Sequence, residues 1–326
     1  MLVVIQGQRW RCAGRKANWY DSISMHTLVH DTGNPSLLLP VIILHMGGYM
    51  VGSADVVPNP QIDYLASKDF VVVIPNYRLC PQVTAWTGAF ADTASSLEWC
   101  QQTLPSKMSQ SYGIQVDTTR ITAMGHSGGG TLALWLAAEH PELIKGVTAF
   151  YPSLYSSDKS TSAHKPYLGF AAIPLPENAA SAESIASFCP ADKQISEAPL
   201  ARPGTKPLPR NQWQLAVLKN GSFMETVMPD GKLELIDPCV RFSEVGERWP
   251  PLMFVQGDKD DLPGSGIAYV ERAVKELKAA GAKKVEVERV VGESHVFDLP
   301  PNVGTTDMGP KWQSVLRGLD FLSQCV

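Results

Sequence analysis

The stretch between Arg120 and Tyr151 constrains the fold of this chain more than any other part of the sequence. It begins with the apolar run Arg120–Met124, passes through a cluster of glycines, and continues into the apolar segment Thr131–Ala138, which is closed by Pro141. A second strand-like run, Lys145–Tyr151, follows at once. Strand, tight turn, helix and strand in this order form a βαβ unit, and such units build parallel sheets.

The same alternation of strands and helices recurs on both sides of this unit. Val41–His45 and Phe70–Pro75 are almost purely apolar, which is typical of strands covered by helices on both faces. The later predicted elements are strands at Leu252–Gln256 and Val285–Val291 and helices at Ile267–Ala280 and 312–322. The sequence therefore predicts a single α/β domain over residues 1–326, with a mostly parallel, doubly wound sheet and helices on both faces.

Residues 152–250 interrupt this pattern. The segment is rich in Pro, Ser, Ala and Lys, and only short helical hints occur, at Ala179–Phe188 and Trp213–Val217. A segment of this length without clear strands is rarely a simple loop. We interpret residues 152–250 as a cap inserted into the domain over one end of the sheet. The alternative is a surface excursion without a role.

Composition excludes several classes of protein. The chain has 326 residues, of which 44% are hydrophobic and 18% charged, and its formal net charge of −4 gives no reason to expect a nucleic acid or an anionic membrane as partner. No stretch approaches a membrane span, and the apolar run before Gln6 is too short for a signal peptide.

The six cysteines are scattered without C-x-x-C pairs, so free thiols and a cytoplasmic location are expected. Dinucleotide, P-loop and H-E-x-x-H motifs are absent from the sequence, and no cofactor or metal is expected.

The glycine cluster contains the pentapeptide Gly125–Gly129 (GHSGG), which matches G-x-S-x-G. In this motif a serine lies on a cramped turn between a strand and a helix, and small residues two places on either side let the backbone close. The predicted strand before the motif and the predicted helix after it supply this setting. The pattern predicts Ser127 as a nucleophile, and the alternative is a glycine-rich turn that happens to contain a serine.

A second glycine-containing loop, His45–Gly48 (HMGG), directly follows the first predicted strand. Acyl transfer requires N–H donors aimed at the oxygen of a tetrahedral intermediate, and glycine backbones can approach that oxygen closely. We assign this role to the N–H groups of Gly47, Gly48 and Gly128, the last directly after the nucleophile. His45 is expected to support the loop by hydrogen bonding. The alternative is a glycine turn that merely leaves the strand.

A serine nucleophile needs a general base, and two histidines follow Ser127 in the sequence. His295 lies just beyond the strand Val285–Val291, in a loop that can carry its imidazole over Ser127. His164 lies inside the Pro- and Ser-rich insertion. His295 is therefore the predicted base.

The base must in turn be oriented by an acid, and the loop after Leu252–Gln256 offers Asp258, Asp260 and Asp261. All three follow a strand that ends at the correct edge of the sheet. A solvated acidic loop or a weak cation site would use the same residues. Spacing alone does not choose among the three carboxylates.

With these residues placed, the chain resembles the hormone-sensitive-lipase-like esterases, the α/β-hydrolase fold-3 family. The likeness covers about Val41 to Phe297 and rests on five motifs in the family's order, which are His45–Gly48, Asn76–Pro81, Gly125–Gly129, Gly257–Leu262 and Gly292–Phe297. The resemblance implies an α/β-hydrolase fold and places the acid at Asp260. Departures from the family pattern include Met46, His126 and Gly128. The segment before the oxyanion loop is shorter than in typical members, which build much of their cap there, so the 152–250 insertion is expected to take that place.

The function implied is hydrolysis of carboxylic esters through an acyl-enzyme on Ser127, with lactones and amides also open. A small-molecule substrate is expected, and the oligomeric state is left open. A weaker resemblance to tailoring hydrolases of fungal natural-product pathways suggests an alternative, the use of the same pocket for cyclisation or carbon–carbon bond cleavage of a polyketide-like compound. A non-catalytic ligand-binding protein of the same fold is the alternative from another class.

Overall fold

A computed structural model describes residues 2–9, 24–30, 37–170, 172–190, 193–200, 206–299 and 311–326. For residues 2–9 and 24–30 the description is limited to the backbone, which forms two strands. Within the described residues, eight strands form one sheet in the order β1-β2-β4-β3-β5-β6-β7-β8. The strands are β1 (Leu2–Arg9), β2 (Ser24–His30), β3 (Leu39–Leu44), β4 (Phe70–Pro75), β5 (Ile121–His126), β6 (Ile144–Phe150), β7 (Leu252–Gly257) and β8 (Val285–Val290).

Six of these strands, β3 to β8, run parallel to one another, and this confirms the predicted α/β class with its mostly parallel sheet. All six residues of β4 are buried, as its continuous apolar sequence predicts. The strands β1 and β2 extend one edge of the sheet in antiparallel orientation. The prediction began at Val41 and did not include them, because their sequences mix polar residues into short apolar runs.

Helices cover both faces of the sheet. They are α1 (Asn59–Ala66), α2 (Ala91–Gln102), α3 (Leu104–Tyr112), α4 (Gly128–Glu139), α5 (Ala182–Phe188), α6 (Pro209–Asn220), α7 (Phe223–Val227), α8 (Phe242–Val245), α9 (Ile267–Ala279) and α10 (Lys311–Ser323). A π-helical turn spans Trp86–Phe90, and 3₁₀ turns lie at Ala54–Val56, Ser162–His164, Leu168–Phe170, Leu233–Leu235, Pro238–Arg241 and Gly246–Arg248.

The core is divided by the sheet into two layers. One layer packs α1 and α10 on the sheet and includes Ile62, Leu65, Val315 and Leu319. The other layer contains α2, α4 and α9, and residues Gly128 to Ala138 of α4 are all buried. The sequence of α4 is apolar all round because the helix lies between the sheet and other elements rather than on the surface. The strand–turn–helix unit that carries Ser127 is therefore anchored in the centre of the core.

The described residues of the 152–250 segment contain four short helices, α5 to α8, and form no strand beyond one isolated bridge. The helical hints correspond to α5 and to α6, which is longer than the hint because it begins at Pro209. Trp213 and Val227 from this segment are buried in the larger core layer. Its backbone also pairs with the rest of the domain, since Gly52 and Ala198 exchange N–H···O bonds of 2.8 and 2.9 Å.

Candidate active site

Ser127 lies at the turn between β5 and α4 with φ of 54° and ψ of −123°, a left-handed conformation that is rare outside glycine. Its backbone N–H donates to the carbonyl oxygen of Phe150 at 2.9 Å. A Cβ atom on Gly125 would lie 2.1 Å from the carbonyl oxygen of Gly129, and one on Gly129 would lie 2.0 Å from that of Leu44. The two outer glycines of G-x-S-x-G are therefore required by close backbone approach.

A chain of hydrogen bonds joins Ser127 to the histidine and one of the aspartates. The Nε2 atom of His295 lies 2.9 Å from the Oγ of Ser127, and its Nδ1 atom lies 2.8 Å from the Oδ2 of Asp260. The carboxylate accepts the Nδ1 proton, which leaves the Nε2 lone pair facing the serine hydroxyl. His164 instead faces the carbonyl oxygen of Ser156 at 2.8 Å, within its own segment.

The three candidate carboxylates have three different partners. Asp258 accepts the backbone N–H of Gly292 at 2.8 Å, which joins the loop after β7 to the loop after β8. Asp261 accepts the hydroxyl of Tyr167 at 2.7 Å and so contacts the 152–250 segment. Only Asp260, of these three, lies within hydrogen-bond distance of an imidazole nitrogen of His295.

The carboxylate of Asp260 is buried and held from two further directions. The side-chain amide of Gln256 donates to Oδ2 at 2.8 Å, and the backbone N–H of Leu262 donates to Oδ1 at 3.0 Å. With His295, the carboxylate has three hydrogen-bond donors. They fix its orientation and supply the hydrogen bonds that a buried carboxylate requires. Gln256 was not singled out in the sequence, because it reads there as the last residue of an apolar strand.

The loop after β3 brings two glycine backbones next to the serine. Gly47 and Gly48 have φ of +124° and +59°, and a Cβ atom on Gly47 would lie 1.9 Å from the carbonyl oxygen of Val51. A Cβ atom on Gly128 would lie 3.3 Å from the Cα of Gly48, so these two backbones approach each other beside Ser127. Within the described residues, the backbone N–H groups of Gly48 and Gly128 have no acceptor. Both can donate to a bound oxygen atom.

His45 precedes these glycines and is fully buried. Its Nδ1 atom donates to the carbonyl oxygen of Met46 at 2.8 Å, and its ring stacks on Tyr77 with centroids 4.0 Å apart. The hydroxyl of Tyr77 donates to the carbonyl oxygen of His45 at 2.8 Å. Burial lowers the pKa of His45 to about 4, so the ring is neutral at physiological pH. His45 supports the loop, and these hydrogen bonds and this ring stacking do not involve the triad residues.

Two residues of the 152–250 segment reach the same loop. The side-chain amide of Gln214 donates to the carbonyl oxygen of Gly47 at 2.8 Å. The ring of Phe223 packs beside Gly48, where a Cβ atom would lie 3.2 Å from the ring. No motif in the sequence marks either residue, and only the fold brings them to this place.

The described part of the chain contains no group of three or more His, Cys, Asp or Glu side chains arranged to hold a metal ion. The five cysteines in that part are free, and Cys12 lies outside the described residues. No helix in the described ranges has the length and apolar character needed to cross a membrane.

Comparison with known proteins gives matches over most of the chain. A sequence model described as alpha/beta hydrolase fold matches residues 41–299. The probable carboxylesterase M8 of a Phoma species is 30% identical over 293 residues, which are 87% of this chain and 85% of that protein. Among solved structures, a fungal esterase from Rhizomucor miehei superposes with a TM-score of 0.61 at 18% identity, over 100% of this chain and 84% of that one.

Longer proteins also match. The non-reducing polyketide synthase ausA of Aspergillus calidoustus is 28% identical over 319 residues, which are 87% of this chain and 13% of the synthase. The chain thus spans about an eighth of the length of that relative.

Proposed function

Because this chain belongs to the α/β-hydrolase fold-3, or hormone-sensitive-lipase-like, family and is a carboxylesterase-like hydrolase, we propose that it cleaves carboxylic esters through an acyl-enzyme formed on Ser127. The observation that carries the proposal is the unbroken hydrogen-bonded chain from Ser127 through His295 to Asp260. A serine hydroxyl is a weak nucleophile on its own, and this arrangement is the one that activates it.

In the acylation step, the Oγ of Ser127 attacks the ester carbonyl carbon while the Nε2 of His295 takes the hydroxyl proton. Asp260 holds the imidazole in the required tautomer and stabilises the imidazolium that forms. When the tetrahedral intermediate collapses, the bond to the alkoxide leaving group breaks and His295 returns the proton to it. Water then repeats the sequence on the acyl-enzyme and releases the carboxylic acid.

The negative oxygen of the tetrahedral intermediate needs donors that are already in position. We assign this role to the backbone N–H groups of Gly47, Gly48 and Gly128. The approach of Gly48 to Gly128 and the absence of acceptors for their N–H groups among the described residues support the assignment. Each such donor contributes about 3–4 kcal/mol to catalysis in measured cases.

The substrate in this proposal is a small molecule that binds between the triad and the 152–250 segment, which acts as a cap. The contacts of Gln214, Phe223 and Tyr167 with the catalytic loops support this role for the segment. The free thiols of the described cysteines support a reducing, cytoplasmic location.

Hydrolysis of short-chain p-nitrophenyl esters by the wild type and by Ser127→Ala tests the proposal. We expect wild-type turnover and a loss of roughly 10⁴-fold or more in the variant. Equal activity of the two proteins would show that Ser127 is not the nucleophile. A phosphonate label that attaches to the wild type and not to Ser127→Ala, located by mass spectrometry, gives an answer independent of the ester chosen.

The match to polyketide synthases supports a second candidate, in which the same triad acts on a polyketide-derived acyl compound by acyl transfer, cyclisation or carbon–carbon bond cleavage. A short β-ketoacyl thioester of N-acetylcysteamine separates the two candidates. The esterase proposal expects kcat/KM for the oxygen ester to match or exceed that for the thioester, with the free acid as product. The second candidate expects a preference for the thioester or a cyclised or cleaved product.

A further inference from the structure

Four buried polar side chains form a cluster beneath the triad. The Nε2 atom of His126 lies 2.9 Å from the Oε1 of Gln61 and 3.1 Å from the Oδ2 of Asp298. The amide of Gln61 donates to the same Oδ2 at 2.7 Å, and the hydroxyl of Tyr151 donates to Oδ1. All four residues are fully buried. We call these four residues the His126–Asp298 cluster.

The hydrogen-bond partners of His126 and Asp298 indicate where the protons of the cluster lie. Both atoms that face the Nε2 of His126 are acceptors, so this nitrogen carries a proton. Burial acts to raise the pKa of Asp298, but His126 and the hydrogen bonds from Tyr151 and Gln61 outweigh it and hold the pKa below its ordinary value. The cluster therefore contains a carboxylate with three donors in the interior of the protein.

The cluster joins the two chain segments that carry the nucleophile and the base. His126 directly precedes Ser127, and Asp298 follows His295 by three residues. Tyr151 lies between these segments, and its ring meets the imidazole of His295 edge to face, with centroids 4.7 Å apart and planes at 62°. The hydrogen bond from Tyr151 to Asp298 thus fixes a ring that is itself in contact with the base.

The backbone is strained at one member of the cluster, Tyr151, and within two residues of His126 and Asp298. Ser127, Tyr151 and Val296 have φ of 54°, 37° and 54°. None is a glycine, and Val296 is β-branched, so these conformations persist only where the surrounding contacts fix them. Replacement of both partners of a buried hydrogen bond by apolar side chains of the same shape can be nearly neutral for stability. The position of the cluster, between strained turns that carry Ser127 and His295, indicates a geometric role.

We propose that His126, Asp298 and Tyr151 are positioning residues that hold the imidazole of His295 in line with the hydroxyl of Ser127. The proposal rests on the proposed function, because it concerns the alignment of that triad. Misplacement of a reacting group by about 1 Å can cost on the order of 10²-fold in rate. Loss of the cluster therefore lowers the rate of the chemical step, while substrate binding, which uses other residues, is retained.

Tyr151→Phe and Asp298→Asn test this. Tyr151→Phe keeps the ring against His295 and removes only the bond to Asp298, so it is the variant expected to fold most reliably. We expect kcat for a p-nitrophenyl ester to fall about 10- to 100-fold in both variants with KM within about twofold. The rate at which a phosphonate labels Ser127 is expected to fall in parallel, because labelling also requires an aligned base.

Tyr155→Phe is the matched control. Tyr155 is also buried, has φ of 57°, and donates its hydroxyl to a carboxylate, that of Glu276, at 2.9 Å. It lies four residues beyond Tyr151 and has no hydrogen bond or ring contact with the triad. Its loss is expected to lower the melting temperature and to leave kcat unchanged at temperatures well below the transition.

The outcomes separate the two proposals. A Tyr151→Phe variant with wild-type kcat and labelling rate, whatever its melting temperature, would overturn the positioning role. An equal loss of kcat in Tyr155→Phe would also overturn it, because the effect would then follow general destabilisation. A wild type that is no more reactive than Ser127→Ala toward esters and phosphonates would instead overturn the proposed function, and the positioning role with it.

Discussion

Gln214 donates a hydrogen bond from its side-chain amide to the carbonyl oxygen of Gly47 at 2.8 Å. The two residues are 167 positions apart in the sequence. In a trans peptide the carbonyl and the following N–H point in opposite directions, so the bond to Gly47 also orients the N–H of Gly48. A residue of the 152–250 segment thereby helps to set the direction of a proposed oxyanion donor.

Replacement of this amide is expected to impair catalysis more than binding. In Gln214→Leu the Gly47 carbonyl keeps the backbone N–H groups of Met50 and Val51 as donors, at 3.1 and 3.2 Å, so the loop is loosened and not lost. We expect kcat to fall about tenfold, less than the 10²- to 10³-fold effect of removing an oxyanion donor outright. Steady-state kinetics on a p-nitrophenyl ester gives the value.

Gln212→Leu is the control for this variant. Gln212 lies on the same helix, α6, and its amide donates to the carbonyl oxygen of Pro207 at 3.0 Å, away from the loop. Its kcat is expected to match that of the wild type. A similar loss in both variants would mean that the effect comes from helix α6 as a whole.

The acid loop offers a comparison between two aspartates only two residues apart. Asp260→Asn removes the carboxylate that accepts the Nδ1 proton of His295, and we expect kcat to fall about 10⁴-fold. Asp258→Asn keeps an oxygen that can accept the N–H of Gly292, and its kcat is expected to stay within about threefold of the wild type. Stopped assays at saturating ester measure both. A larger loss in Asp258→Asn than in Asp260→Asn would reverse the assignment of the acid.

The parts of the site that the sequence predicts are those that directly follow predicted strands. Ser127, Asp260 and His295 come after β5, β7 and β8, and the carboxyl ends of parallel strands meet at one edge of a sheet. Strand prediction from apolar runs is therefore enough to bring the three side chains into one region. The G-x-S-x-G glycines are likewise local requirements of a tight turn.

Strand prediction and local motifs do not identify contacts between segments that are distant in the sequence. Gln214 reads in the sequence as a polar residue of a short helix, and Asp298 as one more acid beyond His295. Gln214 contacts Gly47 and Asp298 contacts His126 because of how the segments pack in the folded protein. No residue spacing in the sequence indicates these pairs. The strands β1 and β2 have no such signal either, because antiparallel strands need no continuous apolar run.

Two glycines with positive φ, Gly47 and Gly231, differ in the space around the Cα atom. Substitution of each by alanine therefore distinguishes the cost of backbone strain alone from the cost of a steric clash. Gly47 would place a Cβ atom 1.9 Å from the carbonyl oxygen of Val51, whereas Gly231, with φ of +71°, would place one in open space. Gly231→Ala is expected to cost about 1 kcal/mol of unfolding free energy and no activity. Gly47→Ala must also displace the loop, and we expect at least a tenfold loss of kcat. Equal activity of the two variants would show that the loop tolerates displacement.

The neutral state of His45 makes the stability of the protein depend on pH. Its pKa is lowered from 6.5 to about 4 by burial, so in this window the unfolded chain binds a proton on the imidazole and the folded protein does not. The contribution of the neutral His45 to the free energy of unfolding is fully present above about pH 6.5, and it is lost as the pH falls toward 4. The free energy of unfolding is expected to fall by about 3 kcal/mol from this residue alone.

His45→Asn removes the titrating group and keeps a side-chain amide that can donate to the carbonyl oxygen of Met46. Urea unfolding of both proteins at about pH 7 and about pH 4.5 isolates the effect, because the carboxylates of the protein titrate in the same way in each. The wild type is expected to lose about 2–3 kcal/mol more than the variant over this interval. Loss of the stacking on Tyr77 shifts the variant at both pH values and cancels in the comparison. An identical pH slope in the two proteins would mean that His45 binds its proton in the folded state near its ordinary pKa, and that its burial does not exclude the charged form.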